Sequence, residues 1–334
     1  MTIGTIGTIE LIQGLLIAFL LVVVLMPPYI RFARQVRFGK HIRVDGPQSH
    51  YLKEGTPTGA GILIVLVVAA VAVLLGAVGA DTPDTYSPLG ALLGVAALGA
   101  FDDYLNVRTG DGIRARHKLI WQIVVAVLAA LYIQRHFNID AIRVPFEGDV
   151  VIGAPLWIVF AAFAIVSTSN GVNITDGLDG LAGGTTAFAF VAYMIIALLN
   201  IPHQPNLALL CAIIIGATVG YLWYNVHPAQ VLMGDSGSLS LGACLAVTAL
   251  ITGQIVVLPL IGLVFVVETG SVIIQVAYFK ATGGRRIFLM SPIHHHFELS
   301  GWDEEKITVR FWIVGVLAGL IGVTLFLASI HALA

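Results

Sequence analysis

The stretch LLIAFLLVVVLM, residues 15–26, carries no charged or hydrogen-bonding side chain, and similar runs recur along the whole chain. A hydrocarbon layer about 30 Å thick is crossed by roughly 20 apolar helical residues, and inside it no backbone N–H or C=O can stay unpaired. Each long run is therefore expected to be a spanning helix. With 58% hydrophobic and 11% charged residues and a mean hydropathy of +0.94, the composition excludes an ordinary soluble domain.

Ten runs fit, near residues 10–33, 59–80, 87–105, 117–135, 153–171, 180–199, 206–224, 237–253, 256–280 and 308–331. The predicted fold class is an all-α polytopic integral membrane protein, a single transmembrane domain over residues 1–334. Between the fourth and fifth runs, FNIDAIRVPFEGDVVIG alternates, turns at Glu147-Gly148-Asp149 and alternates again, which predicts a small β-hairpin.

Lys and Arg near span ends stay on the cytoplasmic side. Arg31, Arg34, Arg37, Lys40, Arg43 and Lys53 follow the first run; Arg108, Arg114, Arg116 and Lys118 follow the third; Lys280, Arg285, Arg286, Lys306 and Arg310 lie between the last two. Only Arg135 and Arg143 fall on the other side. Both termini and the hairpin are thus expected outside, and an even number of spans agrees. The first run is long and lacks a basic leader and a cleavage site, so no removable signal peptide is expected. Cys211 and Cys244 lie in apolar runs and predict no disulfide. No internal repeat of the kind transporters show is visible.

The polar residues that solvation does not explain gather on the basic side. In GAFDDYLNV, Asp102 and Asp103 would face each other and the negative end of a helix dipole, which requires a nearby cation. A divalent metal and Lys118 are both candidates. In SNGVNITDGLDGLAGG, Asn170, Asn173, Asp176 and Asp179 recur every three residues and would share a face if helical, among glycines that admit a close ligand. A polar interhelical turn is the plainer reading. In YNVHPAQVLMGDSGSLSLG, Asp235 stands beside Asn225 and His227 where a helix begins. Free N–H groups there suit phosphate, although the acid can also serve as an N-cap.

Loops near 40–58, 102–118, 170–184, 225–238 and 281–305 would together form a cleft, and their carboxylates suit an oxygen-liganded ion such as Mg²⁺ working with substrate phosphates. A zinc site is not predicted, for want of a Cys pair or a His-x-x-x-His spacing. In SPIHHHFE, His294, His295 and His296 cannot all reach one ion from regular structure. Ser291 as cap and Pro292 at the first helical position would place them in a first turn that suits a diphosphate.

Six stretches carry a family resemblance over nearly the whole chain: KEGTPT (53–58), DDY (102–104), RARHK (114–118), NITDGLDGLA (173–182), MGDSGSL (233–239) and MSPIHHHFE (290–298). Together they resemble the polyprenyl-phosphate N-acetylhexosamine-1-phosphate transferase superfamily, and SPIHHHFE with GWDEEKI resembles its muramoyl-pentapeptide branch. The resemblance implies a bacterial inner-membrane homodimer that moves phospho-MurNAc-pentapeptide from UDP-MurNAc-pentapeptide to undecaprenyl phosphate, giving lipid I and UMP with Mg²⁺, on the cytoplasmic face. It implies that Asp235 ligates Mg²⁺, that Asp102 and Asp103 flank the lipid phosphate, and that Lys118, His294 and His295 belong to the reaction centre. It places Lys53 and Thr58 on the nucleotide-sugar side, Asp179 near the uracil, and Asn170, Asn173, Asp176, Asn225, Gln275 and His296 along the cleft. The chain departs from the family pattern at GTPTGAG (usually GTPTMGG), at Asn106 (usually Lys) and at Leu232 (usually Phe).

A sister enzyme using UDP-N-acetylglucosamine is the alternative that the Asp loops alone permit; an ion-coupled transporter is a remoter one. Against the transporter, only Glu268 is expected deep in a span. A nucleic-acid partner is not expected.

Overall fold

The structure is a computed structural model that describes residues 7–39, 53–77 and 82–333. Lys40, Arg43, the 40–52 part of the first cleft loop and the end of the second apolar run lie outside the described residues. Helices α1 (Thr8–Gln35), α2 (Gly61–Leu74), α3 (Pro83–Thr109) and α4 (Ala115–Phe137) precede the hairpin β1 (Ala141–Val144) and β2 (Gly148–Val151). Then follow α5 (Ala154–Thr175), α6 (Leu181–Leu199), α7 (Pro205–Asn225), α8 (Asp235–Ile251), α9 (Leu258–Ile261), α10 (Leu263–Ala281), α11 (Ile293–Leu299) and α12 (Glu304–Leu333).

Among the described residues eight of these helices are long and apolar enough to cross a membrane; α2 and α8, at two more of the expected spans, are shorter apolar helices. The ninth expected run is not one helix. A 3₁₀ turn at Ile255–Val257, the short α9 and a break at Gly262 precede α10. Pro259 lacks the N–H that a continuous helix would use there. The hairpin forms in the antiparallel register Ala141↔Val151 to Val144↔Gly148, but its turn is at residues 145–147, so Gly148 and Asp149 belong to β2.

The core is built on α7 and α8, whose side chains are buried almost along their whole length. Without a solvent-driven hydrophobic force between helices in lipid, close backbone approach through small residues holds them together. Gly216 of α7 lies against the carbonyl of Leu15 on α1, and Gly99 of α3 against the start of α8. The outer helices turn apolar side chains such as Leu20, Leu128, Ile273 and Leu320 outward. Helix direction alternates, so the C-terminal ends of α3, α5, α7 and α10 share one end of the bundle with the starts of α4, α6, α8 and α12. The hairpin lies at the other end, where the N–H of Phe146 donates to Ser329 Oγ near the end of α12 (3.0 Å).

Candidate active site

At the shared end one group of polar side chains joins α3, α4, α5 and α8. Lys118 Nζ donates to Asp102 Oδ2 (2.8 Å) and to Asp235 Oδ2. Asn173 Nδ2 donates to Asp235 Oδ1 and to Ser238 Oγ, both at 2.8 Å. Asp102 Oδ1 accepts the N–H of Ile113. The cation that the Asp102-Asp103 pair requires is therefore supplied, in this arrangement, by Lys118.

Asp103 does something else. Its two oxygens accept the N–H groups of Asp235 (2.9 Å) and Ser236 (3.1 Å), so it caps α8 from a neighbouring helix. This corrects the expectation that the first N–H groups of that helix await a phosphate, since a carboxylate of the chain already satisfies these two. Asp235 is not the N-cap either: Gly234 is, and Asp235 is the first helical residue.

A second group lies on the Asp176–Asp179 turn. Asp179 Oδ1 accepts from Lys53 Nζ (2.8 Å), which also donates to Glu304 Oε1 (2.6 Å). Asp179 Oδ2 accepts the N–H of Ala229 and lies 3.0 Å from His227 Nδ1. Burial disfavours the Lys53 ammonium, yet Glu304 and Asp179 outweigh it, and its pKa is raised above the ordinary lysine value. The segment carrying Thr58 is fixed by its own backbone: Thr58 N–H donates to Phe38 O (3.2 Å), Thr58 O accepts from Tyr29 Oη (2.7 Å), and Leu232 N–H donates to Pro57 O (2.8 Å).

The three-residue spacing of the second motif does not yield one shared face. Asn170 and Asn173 stand on α5, where Asn170 donates to Gln122 Oε1 (2.7 Å) and Asn173 reaches Asp235. Asp176 is the C-cap residue of α5, and Asp179 faces Lys53. Asn225 is buried behind this turn and braces it, accepting the N–H of Gly180 (2.9 Å) and donating to Val231 O (2.9 Å).

The histidines occupy the first turn of α11, as expected, but the cap differs. The helix starts at Ile293, Pro292 holds the N-cap position, and no side chain caps it. His294 is fully buried, with Nδ1 3.0 Å from Glu268 Oε2 of α10. His295 Nδ1 lies 2.6 Å from Glu298 Oε2, and His296 Nδ1 accepts the N–H of Leu289 (3.2 Å). Gln275 accepts the N–H groups of Ile287 and Phe288 and donates to Phe288 O, holding the loop into α11. Sequence reasoning missed Glu304, Glu298 and Gln122. Glu268 carried a signal, as an acid inside an apolar run, without any indication of its partner.

Among the described residues, two groups of side chains at this end have donors for a cation. Asp179, His227 and Glu304 each place one ligand atom within 4.8 Å of the others, with Lys53 bonded to both carboxylates as Lys118 is to Asp102 and Asp235. Asp102 and Asp235 offer oxygen alone, the donor type that a hard ion such as Mg²⁺ takes.

An apolar bundle with eight helices long enough to span, and carboxylates bridged by an ammonium at one end, has the make-up of a multi-pass membrane protein. The glycosyl transferase family 4 model matches residues 85–253, the span that supplies Asp102, Lys118, Asn173 and Asp235. A phospho-N-acetylmuramoyl-pentapeptide-transferase of Chloroflexus aurantiacus is 45% identical over 326 residues, covering 93% of this chain and 88% of the relative. Proteins of the same name from Desulfotalea psychrophila (40% over 333 residues; 95% and 92% covered) and a Geobacillus species (41% over 317; 94% and 97%) are similar along their length too. The chain belongs to the phospho-N-acetylmuramoyl-pentapeptide-transferase family.

Proposed function

We propose that this protein transfers phospho-MurNAc-pentapeptide from UDP-MurNAc-pentapeptide to undecaprenyl phosphate, forming lipid I and UMP in the first membrane step of peptidoglycan synthesis. The observation that carries the reading is near full-length similarity to proteins named for that transfer. The UDP-N-acetylglucosamine alternative shares the Asp loops but lacks support from SPIHHHFE.

The chain would cross a bacterial inner membrane ten times, with both termini outside, the cleft facing the cytoplasm, and a second copy as partner. The one-sided distribution of Lys and Arg supports this orientation. The oxygen donors around Asp235 fit Mg²⁺, and Lys118 marks the point between two carboxylates where positive charge is favoured. Asp235 would hold the ion, which when bound neutralises diphosphate charge.

Asp102 accepts any remaining proton of the lipid phosphate once Lys118 turns from the carboxylates to the phosphates. A lipid phosphate oxygen then bonds to the β-phosphorus, the bond from that phosphorus to the bridging oxygen breaks, and the electron pair leaves on UMP. Lys118, His294 and His295 offset the developing charge, and Asp103 keeps Asp235 in place through α8. Lys53, Thr58 and Asp179 form the nucleotide side. Asn170, Asn173, Asp176, Asn225, Gln275 and His296 shape the cleft.

Purified protein given undecaprenyl phosphate and Mg²⁺ is expected to release UMP from UDP-MurNAc-pentapeptide. Release from UDP-N-acetylglucosamine alone would overturn the reading. UMP formed in the absence of lipid would replace direct attack by a phospho-enzyme route.

A further inference from the structure

Glu268 is the acid that the proposed chemistry leaves unused. It lies within α10 with no solvent exposure, and its Oε2 holds Nδ1 of the equally buried His294 at 3.0 Å. An imidazole that donates to this carboxylate would carry its proton on Nδ1 and have its ring plane fixed by the contact. The opposite nitrogen, Nε2, is buried without a hydrogen-bond partner, as is Glu268 Oε1. Orphaned polar atoms inside a span cost free energy, and buried acids there are characteristically functional.

The direction of Nε2 adds the second observation. It points at Gly177, so closely that a Cβ on that glycine would overlap it. Gly177 sits in the turn between Asp176, the cap of α5, and Asp179, the partner of Lys53. The other face of the motif continues to His295, whose ring centroid is 4.2 Å from that of His294. His294 is thus wedged between a buried acid and the turn that shapes the nucleotide side of the cleft.

We propose that Glu268 is a positioning residue: acting through His294, it sets the ring orientation and tautomer that lock the α11 histidine turn against the Gly177 turn, and so fixes where the α11 turn and its His295 stand beside the bound diphosphate substrate. This rests on the transfer reading above. Glu268 itself touches no reacting atom. Its loss should therefore impair the chemical step more than substrate capture, by the roughly 10- to 100-fold that a partner orienting a functional histidine contributes.

The test compares full-length wild type, Glu268→Gln, Glu268→Asp, His294→Asn and the Glu268→Gln/His294→Asn double variant, purified in detergent and checked for monodispersity and melting temperature. Glu268→Gln is expected to lower kcat about 10- to 100-fold, with KM for the UDP-sugar within about twofold, and Glu268→Asp to recover part of the loss. The double variant is expected to be no slower than His294→Asn, since both changes break one unit. Wild-type kcat in Glu268→Gln, or losses that multiply in the double variant, would overturn the proposal. Histidine-selective ¹⁵N NMR of the wild type, with the His294 resonance assigned by its loss in His294→Asn, reads the same point without turnover: protonation at Nδ1 is expected, and protonation at Nε2 alone overturns it. Absence of UMP release from wild type would instead overturn the transfer reading, leaving the NMR result to decide the Glu268–His294 unit.

Discussion

Gly99 of α3 lies directly beneath the backbone of Asp235 on α8: a Cβ built on the glycine would overlap the carbonyl group of Asp235 and the nitrogen of Ser236. One turn further along α3, Asp103 can therefore reach the first N–H groups of α8. Gly99→Ala is expected to push the helices apart at a cost of about 1–3 kcal/mol. It should lower the melting temperature and reduce UMP release at least about tenfold, because Asp102 moves relative to Asp235. Gly90→Ala on the same helix, with nothing within 4 Å of the added carbon, is the control expected to leave UMP release unchanged and to hold or slightly raise the melting temperature.

In the proposed transfer Asp235 would carry a heavier chemical load than any one histidine, since phosphoryl transfer depends on positioning and charge. Asp235→Asn should fold, but it keeps only one acceptor where the carboxylate now accepts from both Lys118 and Asn173, and it loses the negative charge beside the Lys118 ammonium. Turnover measured as UMP release is expected to fall by about 10³-fold or more, exceeding the loss in His295→Asn. Near-normal turnover in folded Asp235→Asn would remove this residue from the reaction centre.

The Lys53 cluster gives a pH dependence whose sign follows from the raised pKa. Its contribution is fully present below the unfolded lysine value of about 10.4 and is lost as pH rises through the higher folded value. Thermal stability of the wild type should therefore decline above about pH 10.4 more steeply than that of Lys53→Met. Because Lys53→Met also leaves Asp179 and Glu304 without their ammonium, it should be the less stable of the two near neutrality.

Gly177→Ala sets a methyl group against Nε2 of His294. A destabilisation of about 1–3 kcal/mol is expected from overpacking, read as a fall in melting temperature. In a His294→Ala background the three atoms nearest the added carbon are gone, and the same substitution should cost less. Equal losses in both backgrounds would show that the two residues do not couple.

Motif residues were legible because a hydrocarbon setting makes every unexplained polar group conspicuous. Asp102, Lys118, Asn173 and Asp235 stood out in this way, and the structure joins them. What each one touches was not legible. Asp103 has the same composition signal as Asp102 yet caps α8, and Asn225 and Gln275 turn their amides to the protein backbone. Ser291 was misread as a cap because a Ser-Pro pair signals a helix start without fixing which residue leaves helical geometry.

The sequence by itself determined the helical membrane class, the hairpin and the gathering of the polar motif residues at one end of the bundle. Those properties follow from local sums: transfer free energy over a run, and charge near its ends. Only the tertiary structure decided the pairings. Asn173 meets Asp235 across 62 positions, Lys118 meets it across 117, and Asp103 caps its helix across 132. Hydrogen bonds at these separations require particular helices to pack within ångströms, through glycines such as Gly99, and no local pattern in the chain encodes which helices those are.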